Sequence, residues 1–136
     1  MELDYDRLDP ELAVILPALP EGLANITRDS IVELRATMAE NAAPPPPSDV
    51  VVTERAVAGP DGDVAVFVYR RPSDETQPCV LWIHGGGYIL GSAQDERAKK
   101  IAARLGCTVV SVDYRLAPEH PFPAATEDCW AALNWV

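Results

Sequence analysis

The sequence predicts an α/β fold in which an antiparallel hairpin leads into a parallel pair of strands, with a short helical segment in front. Three observations support this prediction. Residues 50–70 alternate in hydropathy around a turn rich in glycine, which is typical of a hairpin. Residues 79–112 contain two apolar runs separated by a segment with helical spacing, which indicates a strand–helix–strand unit. Residues 1–43 carry helical signals and no strand pattern.

The first helical signal lies close to the start of the chain. Asp9, followed by Pro10 and Glu11, is typical of a helix N-cap with proline in the first turn. Pro17 and Pro20 cannot continue a helix interior, so they end this short helix.

A second helix is predicted to begin near Ser30, because Ser30 and Glu33 fit the spacing of a capping box. Its apolar residues fall on one face: Ile31, Leu34 and Met38. Residues 44–47 are all proline and predict a stiff, extended connector. We therefore expect a helical segment with its connector in residues 1–47 and the main body in residues 48–136.

The main body begins with two predicted strands, residues 50–58 and 64–70. The sequence Gly-Pro-Asp-Gly-Asp at 59–63 joins them and strongly favours a hairpin turn. After a polar loop at 71–78, residues 79–83 form a short apolar run of the kind that is buried on both faces of a parallel sheet.

The second half of the main body alternates helix and strand. Residues 95–105 are a predicted helix that Gly106 ends as a C-cap. Its apolar residues recur at helical spacing: Ala98, Ile101, Ala102 and Leu105. Residues 107–112 form the next strand, which a right-handed crossover makes parallel to the preceding one. After a proline-rich loop at 114–123, residues 124–136 begin a further helix. We expect its bulky apolar side chains to face inward: Trp130, Leu133 and Val136.

Composition excludes several classes of function. A net charge of −10 argues against binding to nucleic acid or to an anionic membrane surface. The start of the chain lacks the pattern of a signal peptide, and no apolar run approaches the ~18 residues that span a bilayer. The spacing of the cysteines matches no zinc site, so we expect small buried thiols in a reducing cytoplasm: Cys79, Cys107 and Cys129.

The most informative motif is His-Gly-Gly-Gly-Tyr at residues 84–88, directly after the apolar run at 79–83. Adjacent glycines at a strand end let the backbone turn sharply and aim N–H groups at one point, as an oxyanion hole requires. A phosphate-binding loop is an alternative, but Leu90 stands where Gly-x-Gly-x-x-Gly needs its third glycine. A purely structural turn is the other alternative, although it needs fewer glycines.

This motif is followed by Gly-Ser at 91–92 and by Asp-Tyr-Arg-Leu-Ala-Pro-Glu-His-Pro-Phe-Pro-Ala-Ala at 113–125. In that order, the two blocks closely resemble the hormone-sensitive lipase family of α/β-hydrolases, which are carboxylesterases and lipases. The resemblance extends from about residue 49 to residue 136. It implies the N-terminal half of the family's α/β-hydrolase sheet, ordered 1-2-4-3 within 1-2-4-3-5-6-7-8, and the first part of its helical cap.

The resemblance also assigns roles to the glycine motif. It implies that the backbone N–H groups of Gly86 and Gly87 are two oxyanion donors and that Gly85 supplies the turn that aims them. His84 has a structural role in the family, in which it holds the loop by hydrogen bonds. Tyr88 is expected to line or brace the substrate pocket, and plain core packing is the alternative.

The proline-rich loop at 114–123 contains two residues of opposite charge and a histidine. Arg115 and Glu119 have opposite charges four residues apart, so we expect an internal ion pair whose functional effect is to support the oxyanion loop. His120 precedes a proline and has no nucleophile nearby in the sequence, so we expect it to be a surface or bracing residue.

No Gly-x-Ser-x-Gly occurs in the sequence, so no serine has the pattern of a nucleophile elbow. The serines fit a helix cap, polar loops or a strand interior instead: Ser30, Ser48, Ser73, Ser92 and Ser111. The family places acids at Asp113 and Asp128, neither of which is its triad acid. Its serine, acid and histidine all lie downstream of the segment that corresponds to this sequence. We therefore expect a carboxylic ester hydrolase fragment that is inactive by itself.

Two alternatives stay open, a non-catalytic small-molecule binding module and a nonfunctional partial gene product. The resemblance implies a small-molecule ester as the substrate of the complete protein and no metal or organic cofactor. The sequence is also compatible with a homo-oligomer. Residues 79–83 would lie at an unpaired sheet edge, so we also expect the isolated chain to aggregate or to be only partly ordered.

Overall fold

The computed structural model describes residues 8–15, 17, 26–40 and 48–136. The chain separates into two compact units, Met1–Ala42 and Ala43–Val136. The prolines at 44–47, like Pro20, lie outside the described residues, so the expected connector stays a prediction. The first unit contains helices α1 (Pro10–Ala13) and α2 (Ile31–Glu40).

The start of α1 follows the expectation from its sequence. The side chain of Asp9 accepts a hydrogen bond from the backbone N–H of Glu11 at 2.8 Å, and Pro10 is the first helical residue. The N-cap prediction is therefore confirmed. It works because the carboxylate satisfies an N–H group that has no partner inside the helix.

The start of α2 differs from the expectation. Thr27 and Ser30 exchange hydrogen bonds, with the Ser30 N–H donating to Thr27 Oγ1 at 3.1 Å and the Thr27 N–H donating to Ser30 Oγ at 3.0 Å. The predicted capping box between Ser30 and Glu33 is therefore wrong. The reciprocal hydrogen bonds join Thr27 and Ser30 instead, three residues earlier in the chain. Ile31 and Leu34 are buried as one face of the helix, whereas Met38 is exposed.

The second unit is built on a four-stranded sheet in the order β1-β2-β4-β3. Its strands are β1 (Val51–Gly59), β2 (Gly62–Arg70), β3 (Cys79–Trp82) and β4 (Thr108–Val112). Strands β1 and β2 are antiparallel and close at Gly59 opposite Gly62, so Pro60 and Asp61 form the turn. Strand β2 is antiparallel to β4, and β3 is parallel to β4. The predicted hairpin, parallel pair and strand order are confirmed.

Two helices cover opposite faces of this sheet, α3 (Glu96–Leu105) and α4 (Ala124–Trp135). Val109 packs with Ala98 and Ala102 of α3, whereas its neighbours along β4, Val110 and Val112, belong to the cluster on the α4 side. The alternation follows from the period of two along a strand. Strand β4 is therefore covered on both faces and is the best-buried strand of the sheet.

Helix α3 has the ends that the sequence predicts. Asp95 accepts a hydrogen bond from the Arg97 N–H at 2.8 Å as the N-cap. Gly106 adopts φ 62° as the C-cap, and its N–H donates to the Ala102 carbonyl at 3.1 Å. Of the four apolar residues predicted at helical spacing, Leu105 is largely exposed because it lies in the last turn, beyond the edge of the sheet's buried face.

Helix α4 turns a different face inward from the one expected. Its buried residues are small or polar: Ala124, Ala125, Asp128, Cys129 and Ala132. Trp130 is 64% exposed, and Leu133 and Val136 are exposed too, so the expectation that they face inward is wrong. The valine-rich sheet leaves room for short side chains only, and Asp128 binds Arg115 from the inner side of the helix.

Strand β3 is only half-buried, which corrects the expectation of a strand covered on both faces. In the part of the chain that the structure describes, β3 pairs with β4 on one side alone, and Ile83 after it is exposed. Cys79 at its start is exposed as well, so the expectation of a buried thiol holds for Cys107 and Cys129 but not for Cys79. Aggregation through this edge stays a prediction.

Candidate active site

Two loops meet at one edge of the sheet, because parallel strands end on the same side. Residues 83–95 follow β3 and contain the glycine motif, and residues 113–123 follow β4. The Ala117 N–H donates to the Tyr88 carbonyl at 2.9 Å and joins the two loops directly. The structure thus brings together the two sequence blocks that carry the family resemblance.

Gly86 sits where the loop folds back on itself. The N–H groups of Ile89 and Leu90 donate to the Gly86 carbonyl at 3.1 and 2.9 Å. Gly86 adopts φ 129°, and a Cβ atom there would collide with the Leu90 carbonyl group. Both the backbone conformation and the lack of space therefore require glycine at this position.

Gly87 and Tyr88 continue the turn in the left-handed region, at φ 62° and 64°. A Cβ atom on Gly87 would meet nothing within 4 Å, so this side of the loop is open. Left-handed backbone is unfavourable for tyrosine, so the loop holds Tyr88 in a strained conformation, which is common at functional sites. Its side chain is exposed and lies beside the glycines.

The sequence predicts Gly86 and Gly87 as the two backbone donors, and both residues are exposed. Within residues 48–136 and the other described segments, the backbone N–H groups of Gly86 and Gly87 donate to no other residue. Two adjacent N–H groups without protein partners at an open surface can bind a carbonyl oxygen, a carboxylate or an oxyanion.

His84 is buried and lies against Tyr114. Their rings stack with centroids 4.2 Å apart and an interplanar angle of 12°. The Tyr114 hydroxyl donates to the His84 carbonyl at 2.6 Å, and His84 Nδ1 lies 3.0 Å from the Gly85 carbonyl and 3.2 Å from the Tyr114 hydroxyl. Burial raises the pKa of Tyr114 to about 12, so the phenol stays protonated. No local sequence signal points to this role of Tyr114.

Arg115 binds carboxylates from two other elements. Its Nε and Nη2 atoms lie 2.8–3.2 Å from the Asp128 carboxylate, and its Nη1 lies 2.7 Å from Asp61 at the hairpin tip. These hydrogen bonds raise the pKa of Arg115 well above its usual range. The predicted ion pair of Arg115 with Glu119 is therefore wrong, because Arg115 binds Asp128 and Asp61 instead. Asp128 and Asp61 lie 13 and 54 residues away, and no local spacing could have identified them.

A second buried tyrosine, Tyr69, binds the residues at the start of α3, after the glycine motif. The Tyr69 hydroxyl donates to the Ala93 carbonyl at 3.0 Å and accepts from the Asp95 N–H at 3.2 Å. Asp113 accepts from the Ala93 N–H at 3.3 Å. Burial alone would raise the pKa of Asp95, but hydrogen bonds from Arg97 and Trp82 bring it below the usual value.

The remaining candidate residues lie outside this arrangement. His120 is exposed, as expected, and its backbone N–H donates to the Leu116 carbonyl at 2.9 Å. Ser92 is exposed in a turn, and Ser111 is buried inside β4. Among the described residues, no group of three histidine, cysteine or acidic side chains could hold a metal ion. No helix in those same segments is long and apolar enough to cross a bilayer.

Comparison with known proteins places this arrangement in a family. The model of a family described as having the α/β-hydrolase fold matches residues 80–136. Esterase LipI of Mycobacterium tuberculosis is 39% identical over 134 residues, which cover 95% of this chain and 41% of the relative. Carboxylesterase NlhH of the same species shows the same identity and coverage. The chain therefore spans about two-fifths of the length of these relatives.

Solved structures agree with the sequence relatives. An esterase from the hyperthermophilic archaeon Pyrobaculum calidifontis superposes with a TM-score of 0.71 at 36% identity, and the match covers 95% of this chain and 43% of that one. A similar backbone and a similar sequence over nearly the whole chain indicate common descent. The chain belongs to the hormone-sensitive lipase family of α/β-hydrolases.

Proposed function

We propose that this chain supplies the oxyanion-hole part of a serine carboxylic-ester hydrolase that cleaves a small-molecule ester. The observation that carries the proposal is the pair of N–H groups on Gly86 and Gly87, two exposed residues whose N–H groups donate to no other described residue. Donors fixed before the reaction cost no reorganisation when charge develops on the substrate oxygen.

The chemistry of ester cleavage explains why such donors matter. A serine hydroxyl attacks the ester carbonyl carbon while a histidine takes the hydroxyl proton, and the carbonyl oxygen becomes negative. The N–H groups of Gly86 and Gly87 donate to this oxygen. The carbon–oxygen bond to the alcohol then breaks, and the alcohol leaves with the proton that the histidine holds. Water, deprotonated by the histidine, attacks the acyl-serine and releases the acid and the free serine. Losing one donor of this kind costs about 100- to 1,000-fold in kcat.

Other residues of the chain support the donors in this proposal. Tyr88, exposed beside the glycines, lines the ester pocket, and Arg115 braces the loop after β4. Residues 1–47 are proposed as part of the family's cap, on the sequence resemblance alone. We assign the nucleophile, the base and the acid to no residue of this chain, because no serine stands in Gly-x-Ser-x-Gly.

The names of the relatives support the substrate class. They are described as esterases and carboxylesterases, so an ester is the chemistry that they share. Because the chain spans only about two-fifths of their length, the activity is proposed for the complete protein. A second candidate is a non-catalytic module that binds a carboxylate or carbonyl compound, which would use the same N–H groups of Gly86 and Gly87.

The test uses the full-length protein encoded by the source gene. It is assayed with p-nitrophenyl esters of increasing acyl length and with a fluorophosphonate probe, which labels activated serines. Hydrolysis above background together with labelling of one serine supports the proposed esterase. Saturable binding of short carboxylates without hydrolysis or labelling would overturn it in favour of the binding module.

A further inference from the structure

We infer that Tyr114 is a positioning residue for the oxyanion hole, acting through His84 on the peptide that carries the Gly86 N–H. This inference rests on the proposed function and extends it to a residue that does not touch the substrate. It starts from the hydrogen bonds that connect Tyr114, His84 and Gly85.

The direction of each hydrogen bond follows from the groups involved. The Gly85 carbonyl can only accept, so His84 Nδ1, 3.0 Å away, must carry a hydrogen. The His84 carbonyl can also only accept, so the single hydrogen of the Tyr114 hydroxyl points to it at 2.6 Å. The Tyr114 oxygen also lies 3.2 Å from His84 Nδ1, over the face of the stacked imidazole, where the in-plane N–H does not point. The hydroxyl thus binds the main chain of His84, and the phenol ring packs on its imidazole.

These bonds determine the orientation of a proposed oxyanion donor. The Gly85 carbonyl and the Gly86 N–H belong to one planar peptide unit and point in opposite directions. When His84 Nδ1 binds the Gly85 carbonyl, it therefore fixes the direction of the Gly86 N–H. Without this bond, a peptide between two glycines can rotate easily, because glycine has few steric limits.

Tyr114 in turn fixes His84. Its ring stacks on the imidazole, and its hydroxyl donates to the His84 carbonyl, so it holds both the side chain and the main chain of His84. Both side chains are buried, and Tyr114 packs in the core on the α4 side of the sheet with Ala125 and Cys129. Tyr114→Phe keeps this packing and the stacked ring, and it removes the hydroxyl alone.

Tyr69 offers a matched control. It is 4% exposed and Tyr114 is 3% exposed, and the hydroxyl of each donates a hydrogen bond to a backbone carbonyl. The Tyr69 hydroxyl binds Ala93 and Asp95, beyond the glycines. If Tyr114 served only the stability of the fold, the two phenylalanine variants would behave alike.

The experiment measures Tyr114→Phe and Tyr69→Phe in the full-length protein. We expect similar losses of Tm in both variants. Only Tyr114→Phe should lower kcat, by about 10- to 100-fold, with KM changed less than about 3-fold, because the misplaced donor acts in the transition state. Equal kcat values in the two variants would overturn the inference.

A second readout keeps this inference separate from the proposed function. Nitrogen-15 relaxation of the Gly86 amide needs no activity, and we expect its order parameter to fall from that of ordered backbone, about 0.85, toward that of a flexible segment, below about 0.6, in Tyr114→Phe but not in Tyr69→Phe. If the wild-type protein hydrolyses no ester, the proposed esterase fails and these order parameters alone decide the role of Tyr114. Equal order parameters in the two variants would then overturn that role.

Discussion

Asp128, on the inner face of α4, binds both the main chain and the side chain of Arg115. Its carboxylate accepts from the Arg115 backbone N–H at 2.9 Å and from Nη2 of the guanidinium at 2.8 Å. Asp61 binds Nη1 of the same guanidinium at 2.7 Å. Arg115 therefore joins the loop after β4 to α4 and to the tip of the hairpin, next to the candidate active site.

The two carboxylates should differ strongly in their contribution to stability. The Asp128 side chain is 1% exposed and that of Asp61 is 70% exposed. Asp61→Ala should cost at most about 1 kcal/mol, as exposed ion pairs do. Asp128→Ala should cost a few times more, because it leaves a main-chain N–H and a guanidinium without their buried partner. Urea unfolding of both variants measures this ranking, which equal losses would contradict.

The orientation of α4 shows where a pattern of apolar residues misleads. Hydropathy favoured burial of Trp130 and Leu133, yet the inner face contains alanines, a cysteine and Asp128. Successive helical residues turn by about 100°, so Trp130 points roughly 200° away from Asp128. The contact between Asp128 and Arg115 selects the face. A partner 13 residues away is not visible in local periodicity, which explains the error.

This orientation predicts the effects of two substitutions in α4. Trp130→Gln should change the free energy of unfolding by less than about 0.5 kcal/mol, because Trp130 is mainly exposed. Ala132→Leu should cost about 1–3 kcal/mol, since Ala132 is fully buried against the sheet and has no room for a larger side chain. Thermal unfolding of the two variants tests this. A larger loss in Trp130→Gln would mean that the tryptophan is covered in solution.

The candidate site was predictable in part. The run of glycines after an apolar strand predicts a sharply turning backbone, which the structure shows at Gly86 and Gly87, with φ of 129° and 62°. Their role as oxyanion donors stays a proposal. The hairpin and the parallel pair follow from local turn residues and from alternating hydropathy. Tyr114 could not be identified in this way, because its partner His84 lies 30 residues away in the loop that follows another strand. Contacts between strands depend on register, which sequence spacing alone does not determine.

Gly87 and Gly106 form a matched pair for testing the oxyanion loop. Both adopt φ 62°, and a Cβ atom on either would meet nothing within 4 Å. Alanine should therefore cost each position about 1–2 kcal/mol of stability, through the left-handed backbone. In the full-length protein, only Gly87→Ala should lower kcat, by about 100-fold, as its N–H turns away from the substrate oxygen. Ester assays of both variants decide this, and an equal effect on kcat would contradict the proposed donor.

Asp95 should make stability depend on pH in the acid range. Its pKa is lowered in the folded protein, so it binds protons more weakly there than in the unfolded chain. Its contribution is therefore complete above the ordinary pKa of about 3.9 and is lost as the pH falls through the lower folded value. Urea unfolding of wild type and Asp95→Asn between about pH 2.5 and 7 should show a difference that shrinks below about pH 4. A difference independent of pH would contradict this expectation.

Ser111 should be replaceable without loss of stability. It is fully buried in β4, and its Oγ atom makes no hydrogen bond within the described residues. Burying an unpaired hydroxyl costs about 1–3 kcal/mol, so Ser111→Ala should leave stability unchanged or raise it by about 1 kcal/mol. Ser92→Ala is the control, because Ser92 Oγ accepts from the Gln94 N–H at 3.1 Å and its removal should cost a little. If Ser111→Ala lost more than about 1 kcal/mol in urea unfolding, its hydroxyl would have a partner in solution, such as a buried water.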